Sequence, residues 1–158
     1  MLAAGGFFYW FMHPKTQMKR KTHKILNAFS VSPGESAGVG NALFADGLYA
    51  DSVKIEINTP STIANYLQKF IPLNNLSRDH IVAALQHKNN YIKELVHSPG
   101  DLLVQKIDES TYTVTFPDTV QIAARKLPLK ETLKLKVAFT FSKIETQWLL
   151  SSVLLNAP

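Results

Sequence analysis

Every strong strand signal but one lies in the last third of this chain, after the helical segments rather than between them. That order lacks the β-α-β alternation of a parallel sheet. It leaves an α+β arrangement, with N-terminal helices packed on a curved, mostly antiparallel sheet. The clearest strand runs from Thr132 to Ser142. Period-two alternation puts Leu133, Leu135, Val137, Phe139 and Phe141 on one face and Lys134, Lys136 and Thr140 on the other. Large apolar side chains so arranged cannot stay wet, so the helices must cover that face.

The other strands follow from similar patterns. Leu102–Ile107 reads as one, and the alternating Tyr112, Val114 and Phe116 as another. Pro117-Asp118 is expected to break the run before a further strand through Val120, Ile122 and Ala124. Gln147–Leu155 closes the set, joined to Thr132–Ser142 through Glu145-Thr146, a connection short enough for an antiparallel hairpin.

Among the helices, Pro14 suits a first turn. Met18, Thr22, Ile25, Leu26 and Phe29 then recur at helical spacing as far as Ser32-Pro33-Gly34. A loop from Ser32 to Asn41 leads to a short second helix at Ala42–Ala50 and a short strand at Val53–Ile57. Thr59-Pro60 reads as the cap and first turn of a helix burying Ile63, Tyr66, Leu67, Phe70 and Ile71. Ser77 caps a longer one, whose stripe of Ile81, Leu85, Ile92 and Val96 runs on toward Ser98-Pro99-Gly100.

A chain of 158 residues is the size of one domain. It has no cysteine, which excludes disulfides, thiolate catalysis and thiolate metal sites. The net charge of +5 is local: Lys15, Lys19, Arg20, Lys21 and Lys24 supply it, and the other twelve basic residues match the 12 acidic ones. Nucleic-acid binding needs a domain-wide basic footprint, which this distribution does not give. Met1–Met12 carries no charge and includes Phe7, Phe8, Tyr9 and Trp10. It is too short to cross a bilayer, which takes about 20 residues. The aromatics followed by a basic run fit the interfacial end of a membrane anchor; the alternative is an apolar segment that packs on the domain or on a partner. The chain therefore divides into residues 1–13, a membrane-proximal segment, and 14–158, the domain.

Three features resemble the NTF2-like superfamily of α+β cones: the helix ending Lys24-Ile25-Leu26-Asn27-Ala28-Phe29, the segment Ala42–Tyr49 leading into Val53–Ile57, and the closing hairpin Val137–Ser142 with Gln147–Val153. The resemblance implies a curved sheet wrapped around a helix with a conical pocket between them. It also implies a choice of roles, since members include enzymes, non-catalytic binders, dimers and membrane-tethered assembly domains. By that analogy the soluble domain is extracytoplasmic, in the cell envelope, with the cytoplasmic side still open.

The inner strand faces as read carry almost nothing titratable, so no catalytic residue, metal or cofactor is assigned. The pocket candidates are Tyr112, Asp46, Tyr49 and His80; the membrane-proximal basic set is Lys15, Lys19, Arg20, Lys21 and Lys24. His80, His87, Tyr91 and Glu94 would share one helical face, directed to solvent. The expected function is a non-catalytic, membrane-anchored domain for protein interaction or assembly, with a homodimer among the forms open to the family. Its partners would be the membrane, reached through the N-terminus, and a protein or an apolar small ligand, with no nucleic acid. The alternative is a small-molecule-binding or lyase/isomerase-type protein using the cone pocket, which requires an open cavity with a convergent acid and base. Phe116, Phe139, Phe141 and Trp148 filling that cavity would argue against it.

Overall fold

The computed structural model describes residues 13–34, 47–69 and 75–158. Its first helix, α1 (Pro14–Ala28), starts on His13, whose Nδ1 accepts from the Lys15 N–H, with Pro14 in the first turn. Met18, Thr22, Ile25 and Leu26 are its buried face, as their spacing predicts. β1 (Tyr49–Asn58) follows, longer at both ends than the expected strand. The expected helix at Ala42–Ala50 falls mostly outside the described residues, but Tyr49 and Ala50 already belong to β1.

α2 (Thr62–Leu67) begins two residues later than Thr59-Pro60 suggests. Ser61 is the cap: its Oγ accepts from the Ala64 N–H and donates to Glu131. Glu131 Oε1 also accepts from the Ile63 N–H at 2.8 Å, so a carboxylate from a distant strand completes the helix start.

After β2 (Leu76–Ser77), the longer helix α3 (Arg78–Tyr91) is capped by Ser77 as expected, the Ser77 Oγ accepting from the His80 N–H. It ends earlier than its stripe predicts. Asn89 and Asn90, poor helix formers, close the last turn, and Ile92 adopts extended angles at the cap. Ile92 and Val96 therefore belong to a strand, β3 (Ile92–Pro99). Glu94 lies on that strand too, so it does not share the helical face of His80, His87 and Tyr91. Lys88 donates from Nζ to the carbonyls of Ala28 and Ser30, satisfying the C-terminal end of α1 and holding the two helices together.

The remaining strands are β4 (Leu103–Asp108), β5 (Thr111–Ala124), β6 (Lys130–Ile144) and β7 (Gln147–Asn156). The seven-stranded sheet has the order β2-β1-β7-β6-β5-β3, with β4 also paired to β5. All pairs are antiparallel except β1 with β7. Register irregularities in the β1–β7, β6–β7 and β3–β5 pairs are the bulges that curl such a sheet. The β6–β7 hairpin turns on Glu145, held at a φ of 58°.

β5 corrects the sequence reading most. Pro117 does not break it: one strand runs from Thr111 to Ala124, pairing with β4 through Thr115 and with β3 from Asp118 onward. Pro117 sits where the partner changes. Its carbonyl accepts from the Gly100 N–H in the β3–β4 connection, so its nitrogen also faces that corner, where no ladder bond is needed. Gly100 is required there, since a Cβ would fall 2.7 Å from Pro117 Cγ.

The inner faces of β5 and β6 meet across the ladder in register: Tyr112 opposite Phe141, Val114 opposite Phe139, Phe116 opposite Val137, Asp118 opposite Leu135, and Val120 opposite Leu133. Phe139 stands edge-on to both Phe116 and Phe141. Burying each of these large side chains contributes about 2–3 kcal/mol, so this pair of strands with α1 and α3 against it is the core. One member of the inner row is not apolar. It is Asp118.

Candidate active site

Between the inner sheet face and the helices lies a cavity of about 290 Å³. Its wall is built from α1 (Leu26, Phe29), β1 (Tyr49, Val53), α3 (Ile81, Ala84) and the inner rows of β3, β5, β6 and β7. Phe139 lines it, but Phe116, Phe141 and Trp148 pack elsewhere in the core and leave the space open. Thr59, Leu67 and Gln68 edge it beside α2, and Gln68 is exposed, so the cavity reaches the surface there.

Two ionisable side chains enter this apolar chamber together. β3 carries His97 and β5 carries Asp118, diagonal neighbours across the ladder, since His97 pairs with Val120 and Asp118 with Pro99. Asp118 Oδ2 lies 2.7 Å from His97 Nδ1, and Asp118 Oδ1 accepts from the Ser98 N–H at 2.9 Å. Asp118 is only 3% exposed, and each of its carboxylate oxygens is satisfied, as a buried carboxylate must be. A carboxylate can only accept. His97 therefore carries a proton on Nδ1, and in the neutral imidazole Nε2 is the nitrogen left to accept. That Nε2 is buried and has no hydrogen-bond partner.

A second polar atom in the same wall is also unsatisfied. Tyr49 is 1% exposed, its hydroxyl has no partner, and burial alone holds its phenol well above the ordinary tyrosine range. It stays protonated at all ordinary pH and can act as a donor. Its backbone is fixed by Arg78, which donates to the Tyr49 carbonyl and pairs with Asp51 at 2.8 Å. Buried polar atoms without partners are uncommon in folded proteins, where each unmade bond costs about 1–3 kcal/mol. Here His97 and Tyr49, each with a buried, unpartnered polar atom, belong to the wall of one largely apolar cavity.

Of the pocket candidates read from sequence, Tyr49 lines the cavity. Tyr112 does not: it is buried edge-on to Trp148, with ring centroids 5.0 Å apart. His80 is exposed on the first turn of α3, and Asp46 lies outside the described residues. The basic set lies on α1. Lys21 is partly buried, its Nζ donating to the carbonyls of Gly47 and Trp148, while Lys15, Lys19 and Lys24 are exposed. Among the described residues no helix is long and apolar enough to cross a membrane.

The sequence reading missed His97 and Asp118. Placing His97 near the end of a helix and breaking β5 at Pro117 removed both from the inner face. The signal was present: continuing the alternation of Tyr112, Val114 and Phe116 through Pro117 puts Asp118 on the same face as Val120 and Ile122. The expectation that the inner face holds nothing titratable fails at this residue.

No family model and no curated protein matches the chain. Solved structures do match its fold. An NTF2-like superfamily protein from Salmonella enterica serovar Typhimurium superposes with a TM-score of 0.63 at 9% identity, over 91% of this chain and 90% of that one. An NTF2-like protein from Cytophaga hutchinsonii gives 0.58 at 13% identity, over 93% of this chain and 100% of that one. A putative aromatic ring hydroxylase from Novosphingobium aromaticivorans gives 0.50 at 10%, over 72% and 71%. At such identities the likeness establishes the fold alone, and that fold is an NTF2-like cone.

Proposed function

We propose that this NTF2-like cone is an acid–base enzyme of the lyase or isomerase type acting on a neutral, apolar molecule of one or two rings. The observation that carries the reading is the His97–Asp118 pair in the wall of a largely apolar cavity, with His97 Nε2 left without a hydrogen-bond partner. The size follows from volume. A dry cavity of about 150 Å³ accepts benzene, and this one is roughly twice that. Neutrality follows from the wall, in which Asp118 is the one carboxylate among the described lining residues and is already paired with His97.

In the reaction, His97 Nε2 removes a proton from a carbon next to a carbonyl. The electron pair moves onto the carbonyl oxygen, where the Tyr49 hydroxyl donates a hydrogen bond to the developing charge. Asp118 holds the imidazolium that results. Returning the proton to another carbon completes an isomerisation. Returning it to a β-hydroxyl, which leaves as water, completes an elimination. Protons and charge balance within the pair in both cases.

The expected non-catalytic role rested on the N-terminal segment and on an inner face with almost nothing titratable, and Asp118 with His97 weakens the second ground. The test needs no knowledge of the natural substrate. Neutral cyclic ketones incubated with the protein in deuterium oxide should exchange their α-protons about 10²-fold or more above buffer. His97→Gln should return the rate to that of buffer, while His80→Gln with His87→Gln should leave it unchanged. Equal exchange in wild type and His97→Gln across the panel would refute the proposal.

A further inference from the structure

The α1 helix carries five cations and no acidic residue. Lys21 binds the carbonyls of Gly47 and Trp148. Lys15, Lys19 and Lys24 are exposed, and no carboxylate among the described residues pairs with them. At about 100° per residue, Lys19, Arg20, His23 and Lys24 share an arc roughly 140° wide, turned away from the Met18/Ile25/Phe29 side. Lys15 with Lys19 and Arg20 with Lys24 are like charges at i, i+4, an arrangement that destabilises a helix by itself. Three exposed lysines on one helix without a carboxylate partner among the described residues point to an external anion.

We infer that the outer face of α1 is a docking surface for anionic lipid headgroups. Two features favour a membrane over nucleic acid. Met1–Met12, directly preceding the helix in sequence, is uncharged and rich in aromatics, which suits the headgroup boundary and offers nothing to a phosphate backbone. The remaining twelve basic residues are balanced by the 12 acidic ones, so the excess positive charge is confined to α1 and does not form a track along a polymer.

Vesicle co-sedimentation of the full chain tests this, comparing phosphatidylcholine alone with phosphatidylcholine containing about a third phosphatidylglycerol. The protein should bind the anionic vesicles and lose them as salt rises from about 0.1 M to about 0.5 M. Combining Lys15→Gln, Lys19→Gln and Lys24→Gln should lower partitioning about a hundredfold, at about fivefold per charge near the surface. The charge-matched control Lys126→Gln/Lys134→Gln/Lys136→Gln, also at exposed sites, should bind nearly as wild type. Equal affinity for both vesicle types would overturn the inference, as would equal losses in the two triple variants or tighter binding to duplex DNA than to the anionic vesicles.

Discussion

Asparagine at position 118 separates two roles of the buried carboxylate. Asp118→Asn keeps both hydrogen bonds in number. The Ser98 N–H, 2.9 Å from Oδ1, fixes the amide oxygen on its side, so the amide nitrogen must face His97 Nδ1. That nitrogen can only donate. A neutral imidazole must then carry its proton on Nε2, which can no longer accept one. Each bond gives up its charge assistance, about 1 kcal/mol, and the relieved cost of burying a charge offsets much of that. A net loss of about 1 kcal/mol lowers the melting temperature by about 2–4 °C. Catalysis should suffer far more, because the same exchange in a Ser-His-Asp triad costs about 10⁴ through the wrong tautomer. Long-range ¹H–¹⁵N correlation of labelled histidine reads the tautomer directly, and a thermal melt and the deuterium-exchange assay read the rest. An unchanged His97 tautomer would refute the reasoning. So would a stability loss above about 3 kcal/mol, which would make the carboxylate a structural element first.

Other perturbations test neighbouring parts of the account. Val120→Phe places a ring in the cavity opposite His97 and should abolish ligand binding by calorimetry while changing stability by less than about 1.5 kcal/mol. Glu131→Ala removes the acceptor for the Ser61 hydroxyl and the Ile63 N–H; it should cost about 1–2 kcal/mol in urea denaturation and raise amide exchange across α2. Burial first, then the Lys24 and Arg20 charges, hold the Lys21 ammonium below the ordinary lysine value of 10.5. Between its lowered value and 10.5 the unfolded chain binds the extra proton, so this residue makes stability rise with pH in that window and stay level below it. Denaturation midpoints across that range should show the rise in wild type and lose it in Lys21→Met.

Much of the fold was legible because its strongest determinant is local. Leu135, Val137, Phe139 and Phe141 alternate with exposed or half-buried neighbours along β6 in the pattern the sequence dictates. Ser77 caps α3, and Met18, Thr22, Ile25 and Leu26 bury one side of α1, for the same short-range reasons. The failures came where tertiary pairing overrides local preference. Ile92 and Val96 fit a helical stripe, yet pairing with β5 makes them a strand. Pro117 reads as a breaker and survives in β5 because the sheet changes partner at that residue, which no local pattern reveals. The candidate site depended on those two positions. His97 and Asp118 become neighbours only when both segments are strands in register, so the errors in the fold and in the site were one error.

The most direct test of the central claim is NMR of the full chain, labelled at histidine nitrogens and at Ile, Leu and Val methyls, titrated with a neutral cyclic ketone. Saturable shifts are expected at His97 Nε2 and at the methyls of Val120, Ile122 and Leu135, with His80 and His87 unmoved. Shifts confined to surface residues, or none at His97, would contradict that claim.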